Sequence, residues 1–243
     1  MIFAVDATNR IHVLHHGTGG QGVPELFERQ LRLIQQRFKP SNLIACFDSP
    51  NSYRKNLFPN YKATRESNAE IAKSIQETKE LMADRGMEVL EVSGMEADDL
   101  LASIAKQAKG KVVLVTSDKD CRQCLEAGRV SIINKVKINY GKLEVQFTTE
   151  DDVAAKYGVT ADQWIDFQAM VGDKVDNIEG VEGVGESTAA KILSIGTLDE
   201  ILKAPERCPV SKRIIENLHK FRKRVIEVRL LVTLKTDVEV GIV

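Results

Sequence analysis

Three short apolar runs of this 243-residue chain end in aspartate: IFAVD at 2–6, LIACFD at 43–48 and KVVLVTSD at 111–118. A fourth, MEVLEVS at 87–93, leads into MEADD, which carries Glu96, Asp98 and Asp99. Asp120 follows Asp118 by two residues, and GDKVDN later supplies Asp173 and Asp176. One aspartate at a strand-to-helix junction is an ordinary helix cap that complements the helix dipole. A cap needs one acid, however, and EADD and SDKD supply clusters. Converging carboxylates repel and lose hydration on burial, so the set calls for bound cations. Oxygen-only donors select hard ions, Mg²⁺ or Mn²⁺. This many carboxylates suit two ions, the arrangement that cleaves phosphodiesters by in-line attack. His12, His15, His16 and His219 offer no zinc spacing relative to these acids.

A basic stretch, YRKNLFPNYKATR at 53–65, follows Asp48 closely. Arg54, Lys55, Lys62 and Arg65 alternate there with Tyr53, Phe58 and Tyr61, a mixture suited to phosphates and stacked bases. A helix over 61–65 would put Tyr61 and Arg65 on one face. Beside an acidic metal rim, fixed cations would stabilise charge developing on a scissile phosphate. The same chemistry taken alone describes an ordinary charged loop. Between 203 and 224 eight Lys and Arg face two Glu, a net of +6 in a chain whose total is −1. Such a run by itself is a solvated helical face.

The elements that must position these groups follow from periodicity. The four apolar runs read as buried strands by length and β-branched content. Residues 24–38, 70–86 and 97–110 read as helices, the last two ending at glycine. Strand alternating with helix gives right-handed βαβ units, hence an α/β fold with a mostly parallel central sheet flanked by helices. Ligands of such sheets bind beyond the carboxyl ends of the strands, where Asp6, Asp48 and Asp118 fall. Segments 130–134 and 142–148 extend or edge the sheet. After about residue 149 the pattern is helical, and no Pro-rich linker separates the parts. We therefore expect a core over 1–165 and a helical lobe over 166–243 packed on it.

Hydrophobic content of 43% and charged content of 28% are ordinary for a soluble globular protein. The start lacks a signal-like leader and no apolar run could span a bilayer, so cytoplasmic residence is expected. Cys46, Cys121, Cys124 and Cys208 contain one C-x-x-C and no second pair, which excludes a four-thiolate zinc site. They are read as packed or half-exposed thiols in preference to a redox motif.

With these pieces assembled, the chain resembles the flap endonuclease / 5′–3′ exonuclease family. FAVDATN, ACFDSP, YRKNLFPNYKATR, GMEADDLLASIA, VTSDKDCRQ and GDKVDNIEGVEGVGESTAAKIL carry the resemblance in family order. It implies a PIN-like or resolvase-like nuclease core with a basic arch segment at about 52–76, through or under which a 5′ single strand passes, and a helix–hairpin–helix-type element at about 172–196 in the helical lobe. It further implies that Asp6, Asp48, Glu96, Asp98, Asp99, Asp118, Asp120, Asp173 and Asp176 are metal ligands. Lys62 and Arg65 match the basic pair at the scissile phosphate, and Tyr61 an aromatic on which a terminal base stacks. The hairpin corresponds to a duplex-gripping element, with Gly180, Gly183, Gly185, Ser187 and Lys191 as DNA contacts alongside Arg54 and Lys55. A K⁺ ion held by backbone carbonyls, here those of Val181 and Val184, goes with that element. The implied function is structure-selective 5′ cleavage of DNA near single-strand/duplex junctions by a monomer using two Mg²⁺ or Mn²⁺ ions. The competing readings are a junction-binding module without catalysis and an acid-rim ribonuclease. An aspartyl phosphatase is disfavoured because VDATN lacks a second aspartate two residues after Asp6.

Overall fold

The computed structural model describes residues 1–63 and 68–241. They form two compact units, one of residues 1–52, 68–149 and 234–241, the other of 53–63 and 150–233.

In the first unit, β1 (Ile2–Asp6), β2 (Asn42–Cys46), β3 (Glu88–Leu90), β4 (Val112–Val115), β5 (Val130–Asn139) and β6 (Lys142–Thr148) form one sheet in the order β3-β2-β1-β4-β5-β6. All neighbours run parallel except the β5–β6 hairpin. β4 is buried along its whole length, as its uninterrupted VVLV predicts for a strand covered on both faces. Helices α1 (Ala7–Thr18), α2 (Val23–Phe38) and α4 (Ala69–Asp84) cover one face, packing Ile11, Phe27, Leu31, Ile34 and Met82 on Phe3, Val5, Val113 and Val115. Helix α5 (Ala97–Gln107) packs on β1, β2 and β4 through residues that are buried from Ala97 to Ala105. The strand order reverses its progression at β1, so the switch point lies between the carboxyl ends of β1 and β4.

Most elements match the sequence expectation. Helix α1 is an addition: ATNRIHVLHHGT carries too little amphipathic signal to announce itself. The helix forms because the Asp6 side chain accepts from Asn9 N at 2.9 Å and Gly19 closes it at φ 65°. Strand β3 keeps three residues of the seven expected, and β5 runs on to Asn139 in register with β6. Cys121 and Cys124 lie on a short 3₁₀ helix, Asp120–Cys124.

The second unit holds α3 (Tyr53–Leu57), α6 (Glu150–Tyr157), α7 (Trp164–Val171), α8 (Glu186–Leu193), α9 (Leu198–Lys203), α10 (Lys212–Lys220) and α11 (Arg222–Val232). Trp164 is buried, stacked on Phe167 at 5.1 Å and edge-on to Tyr157 at 5.0 Å. Arg229 on α11 joins Asp166 on α7 at 2.9 Å and Asp199 on α9 at 3.0 Å. A division after residue 165 would cut α7, a helix whose Trp164 and Phe167 stack on each other. The final segment, 234–241, groups with the sheet unit and not with the helices. Among the described residues no helix is long and apolar enough to cross a membrane.

Between α7 and α8 the chain makes a hairpin, β7 (Gly172–Asp173) against β8 (Ile178–Glu179), closed by Val181 N donating to Met170 O at 2.7 Å. The strands cross so closely that a Cβ on Gly180 would overlap Met170 O and Val171 C, and one on Gly172 would overlap Gly180 N. Gly180 thus has a reason inside the fold itself, apart from any approach to a ligand. We expect Gly180→Ala to cost about 3 kcal/mol in urea denaturation. Gly185→Ala, where φ is −99° and the added Cβ meets nothing within 4 Å, should be near neutral.

Candidate metal centre and nucleic-acid contacts

At the switch point of the sheet unit, Asp6 is 5% exposed. One of its oxygens accepts from Asn9 N, the other from the Thr116 hydroxyl at 2.9 Å. Thr116 Oγ1 in turn accepts from Asp118 N at 3.0 Å, and Asp118 Oδ1 accepts from Asp120 N at 2.9 Å. Asp48 N donates to Thr8 Oγ1 at 2.9 Å, and Asp48 Oδ1 accepts from Ala97 N at 2.7 Å, in the first turn of α5. Glu96 caps that helix, and Asp98 Oδ1 accepts from Asp99 N at 2.7 Å. Asp6, Asp48, Asp98 and Asp118 are therefore each set by a backbone amide at the start of a helix or turn, and the sheet brings the ends of β1, β2 and β4 together.

The convergence has an electrostatic consequence. Burial, then the neighbouring Asp48 carboxylate, raise the Asp6 pKa to about 7; Asp118 adds to the rise, and the Asn9 and Thr116 hydrogen bonds oppose it. Cys121, fully buried behind the rim, is pushed up by burial, then by Cys124, Asp118, Asp98 and Asp6. Burial, with Asp98 and Asp99, lifts Cys124 to about 12. Neither thiol is a poised nucleophile; Cys121 is buried and Cys124 half-buried. Thr8, Asn9 and Thr116 were not singled out in the sequence. Their only signal was their place inside VDATN and VTSD, where small polar residues flank each aspartate.

The donors suit a hard divalent ion in kind, being oxygens of mutually repelling carboxylates. In their present rotamers these side chains turn to backbone amides. Among the described residues no group of three or more His, Cys, Asp or Glu is arranged around a single ion position. Asp99 stands apart from the rest. It is wholly buried, with Oδ1 accepting from Lys235 N at 2.8 Å and Oδ2 from Glu96 N at 3.3 Å.

In the helical unit, Asp173 and Asp176 are 9% and 5% exposed. Asp173 Oδ1 accepts from Val175 N at 2.9 Å, within the turn of the β7–β8 hairpin. The Asp176 carbonyl accepts from Lys62 N at 3.3 Å, and Asn177 Nδ2 donates to Asn60 O at 3.3 Å. These bonds fasten the basic segment to the hairpin turn. Lys62 sits at φ 53° in a turn, not in the helix contemplated over 61–65, and its ammonium lies 4.8 Å from the Tyr61 ring centre. Arg65 lies outside the described residues.

Two expected contacts are corrected. Arg54, read as a DNA ligand, is 2% exposed. Its Nε donates to Leu231 O at 3.0 Å and its Nη2 to Thr233 O at 3.4 Å, so the guanidinium closes the carbonyl end of α11 while lying 4.8 Å over the Tyr53 ring. Tyr61, read as a stacking platform, is 5% exposed and presents no open face to a base. Lys55 is exposed, as are Gly183, Gly185, Ser187 and Lys191 around the start of α8. Gly183 sits at φ 80°, beside the Arg213 guanidinium. Val181 and Val184 are buried, with Val184 N donating to Val181 O at 3.0 Å.

A switch-point sheet with an acid rim, joined to a helix–hairpin–helix unit, defines a resolvase-like α/β core with a helical partner unit. Comparison with known proteins agrees. The family described as 5'-3' exonuclease, N-terminal resolvase-like domain, matches residues 4–158, and 5'-3' exonuclease, C-terminal SAM fold, matches residues 159–243. The chain belongs to the 5'-3' exonuclease family. DNA polymerase I of Mycobacterium bovis is 40% identical over 169 residues, 67% of this chain and 18% of that protein. The thermostable DNA polymerase I of Thermus aquaticus is 37% identical over 171 residues, 68% of this chain and 20% of that protein. The chain thus spans about a fifth of the length of these relatives. The zinc-bound 5'-exonuclease of bacteriophage T5 shares the fold with a TM-score of 0.82 and 22% identity, over 97% of this chain and 90% of that one.

Two outcomes follow from this geometry. Arg54→Ala should destabilise the protein by about 3 kcal/mol in denaturant titration, and Arg54→Lys should not restore it, because one ammonium cannot reproduce the fork. For Asp6, the folded-state pKa of about 7 lies above the 3.8 of the free side chain. Its contribution to stability is therefore fully present below pH about 4 and is lost as the pH rises through 7. In chelator, Asp6→Asn should raise the melting temperature at pH 8, and the gain should vanish by pH 4.

Proposed function

We propose that this chain is a divalent-metal-dependent 5′ nuclease that hydrolyses DNA phosphodiesters near single-strand/duplex junctions. The observation that carries this reading is the carboxylate set at the sheet's switch point, where burial and the neighbouring Asp48 and Asp118 raise Asp6 to about 7. A family of 5'-3' exonucleases supplies the reaction class, and the bacteriophage T5 enzyme of the same fold holds divalent ions.

Asp6, Asp48, Glu96, Asp98, Asp118 and Asp120 would hold two Mg²⁺ or Mn²⁺ ions, with Asp173 and Asp176 assigned to the same set by their motif. Such an ion pair supplies activation of the attacking water and neutralisation of the leaving oxygen. The chain's own part is to fix ligand positions through amides and hydroxyls, so that little reorganisation is left for the moment of reaction. Lys62, fastened through its own amide to the hairpin turn, would offer an ammonium to the scissile phosphate, with Arg65 assigned as its partner by the motif. The hairpin residues Gly183 and Gly185 and the start of α8, with Ser187 and Lys191, would receive duplex phosphates on exposed amides and the helix dipole. K⁺ on the carbonyls of Val181 and Val184 belongs to the same reading, as does action as a monomer.

The test is product sizing on 5′-flap, nicked and blunt DNA with Mg²⁺, and with EDTA as control. We expect Mg²⁺-dependent release of 5′ fragments, and a loss of at least about 100-fold in Asp118→Asn with the fold retained. Lys62→Ala should slow single-turnover cleavage more than it weakens DNA binding. Flap DNA bound but left uncut with both Mg²⁺ and Mn²⁺ would assign the chain instead to junction binding without catalysis.

A further inference from the structure

Within the sheet unit, segment 234–241 lies along α5 without joining the sheet, and side chains of α5 take up its backbone groups. Asp99, Ser103 and Gln107 stand four residues apart and form one stripe of the helix. Asp99 Oδ1 accepts from Lys235 N at 2.8 Å. Ser103 Oγ donates to Lys235 O at 3.1 Å and accepts from Val238 N at 3.2 Å. Gln107 Nε2 donates to Val238 O at 2.8 Å and to Thr236 O at 3.2 Å. Gln123 Oε1 accepts from Leu234 N at 3.0 Å, and Leu234, Val238 and Val240 are buried beneath. A stripe of side chains therefore does for this segment what a neighbouring strand would do, satisfying amides and carbonyls that burial would otherwise penalise.

Asp99 is the first rung of that ladder and the member of the EADD cluster with no exposed surface, whereas Glu96 and Asp98 keep 5% and 8%. Its second oxygen accepts from Glu96 N, the amide at the entry to α5. We propose that Asp99 is a positioning residue and not a metal ligand: it clasps segment 234–241 to α5 and sets the helix entry from which Glu96 and Asp98 project. The motif's four-letter cluster would then divide its labour, with two acids facing the rim and the third holding the clasp. A carboxylate suits that task because it accepts from two amides at once, and each bond is charge-assisted.

The clasp stands on hydrogen-bond geometry alone, and only its contrast with the rim acids rests on the nuclease reading. Amide hydrogen exchange over 234–240, measured in chelator, tests the clasp without metal. We expect Asp99→Asn and Ser103→Ala each to speed exchange there by about 10-fold or more, and Asp98→Asn and Asp118→Asn to leave it unchanged. Mn²⁺ calorimetry tests the contrast: Asp98→Asn should lose at least about 100-fold in affinity, and Asp99→Asn no more than about 10-fold, the effect of an outer partner. Unchanged exchange in Asp99→Asn overturns the proposal, and so does a Mn²⁺ loss in Asp99→Asn equal to that of Asp98→Asn. If the unaltered protein takes up no Mn²⁺, the nuclease reading fails and the exchange data alone decide on the clasp.

Discussion

The burial of Asp6 beside the half-buried carboxylates of Asp48 and Asp118, at the carboxyl ends of β1, β2 and β4, is the constraint on which the sheet unit turns. Bringing Asp6, Asp48 and Asp118 to one edge costs hydration and charge energy, which appears as an Asp6 pKa of about 7. The fold offsets part of that cost with groups it must satisfy anyway. The first amides of α1 and α5 have no partner within their helices, so Asp6 and Asp48 accept from Asn9 N and Ala97 N. Thr116 serves two acids, donating its hydroxyl proton to Asp6 and accepting from the amide of Asp118. Capping and the aiming of these carboxylates are thus one arrangement, because a carboxylate pinned by an amide is also a carboxylate of fixed direction.

The helical unit solves a different problem. Its hairpin brings two backbones into a contact that only glycine permits at 172 and 180, and its basic segment is anchored by peptide groups and one buried arginine. Arg54 occupies the carbonyl end of α11, where a cation also meets the negative end of the helix dipole. Lys62 N and Asn177 Nδ2 then tie residues 60–62 to the hairpin turn that carries Asp173 and Asp176. A charge-rich stretch that reads as a solvent-facing loop is therefore partly structural. Lys55 points outward while Arg54, its neighbour in sequence, is interior.

That contrast marks the limit of what the sequence makes legible. The strands could be read because β1, β2 and β4 are short apolar runs with acids at their ends. The acids could be read because clusters exceed what caps require. Arg54 and Tyr61 could not be placed, since burial of a cation or a phenol is decided by distant carbonyls and packing partners, not by neighbours in sequence. Helix α1 is not legible, because its residues carry little amphipathic signal and its cap, Asp6, also reads as an acid of the rim. Asp6 serves as the cap in the structure, and nothing in that role prevents the other. Thr8, Asn9 and Thr116 sit in plain view beside the aspartates, but a local pattern does not reveal which hydroxyl meets which carboxylate.

Local bonds pin Asp6 to Asn9 N and Asp118 to Asp120 N, but others that orient these acids are long-range. Asp48 meets Ala97 across 49 residues, Thr116 meets Asp6 across 110, and Asp99 meets Lys235 across 136. Composition and spacing can put acids at strand ends, which is a local property of each βαβ unit. Their final directions depend on contacts whose loop-closure cost is met only after the sheet has assembled and the last segment has returned to α5. A rim built this way cannot be complete in a partly folded chain, so several carboxylates need not be forced together before the hydrogen bonds that restrain them exist. The sequence can therefore state the chemistry early, while the geometry that makes it usable belongs to the whole sheet unit, including residues 234–241 at the far end of the chain.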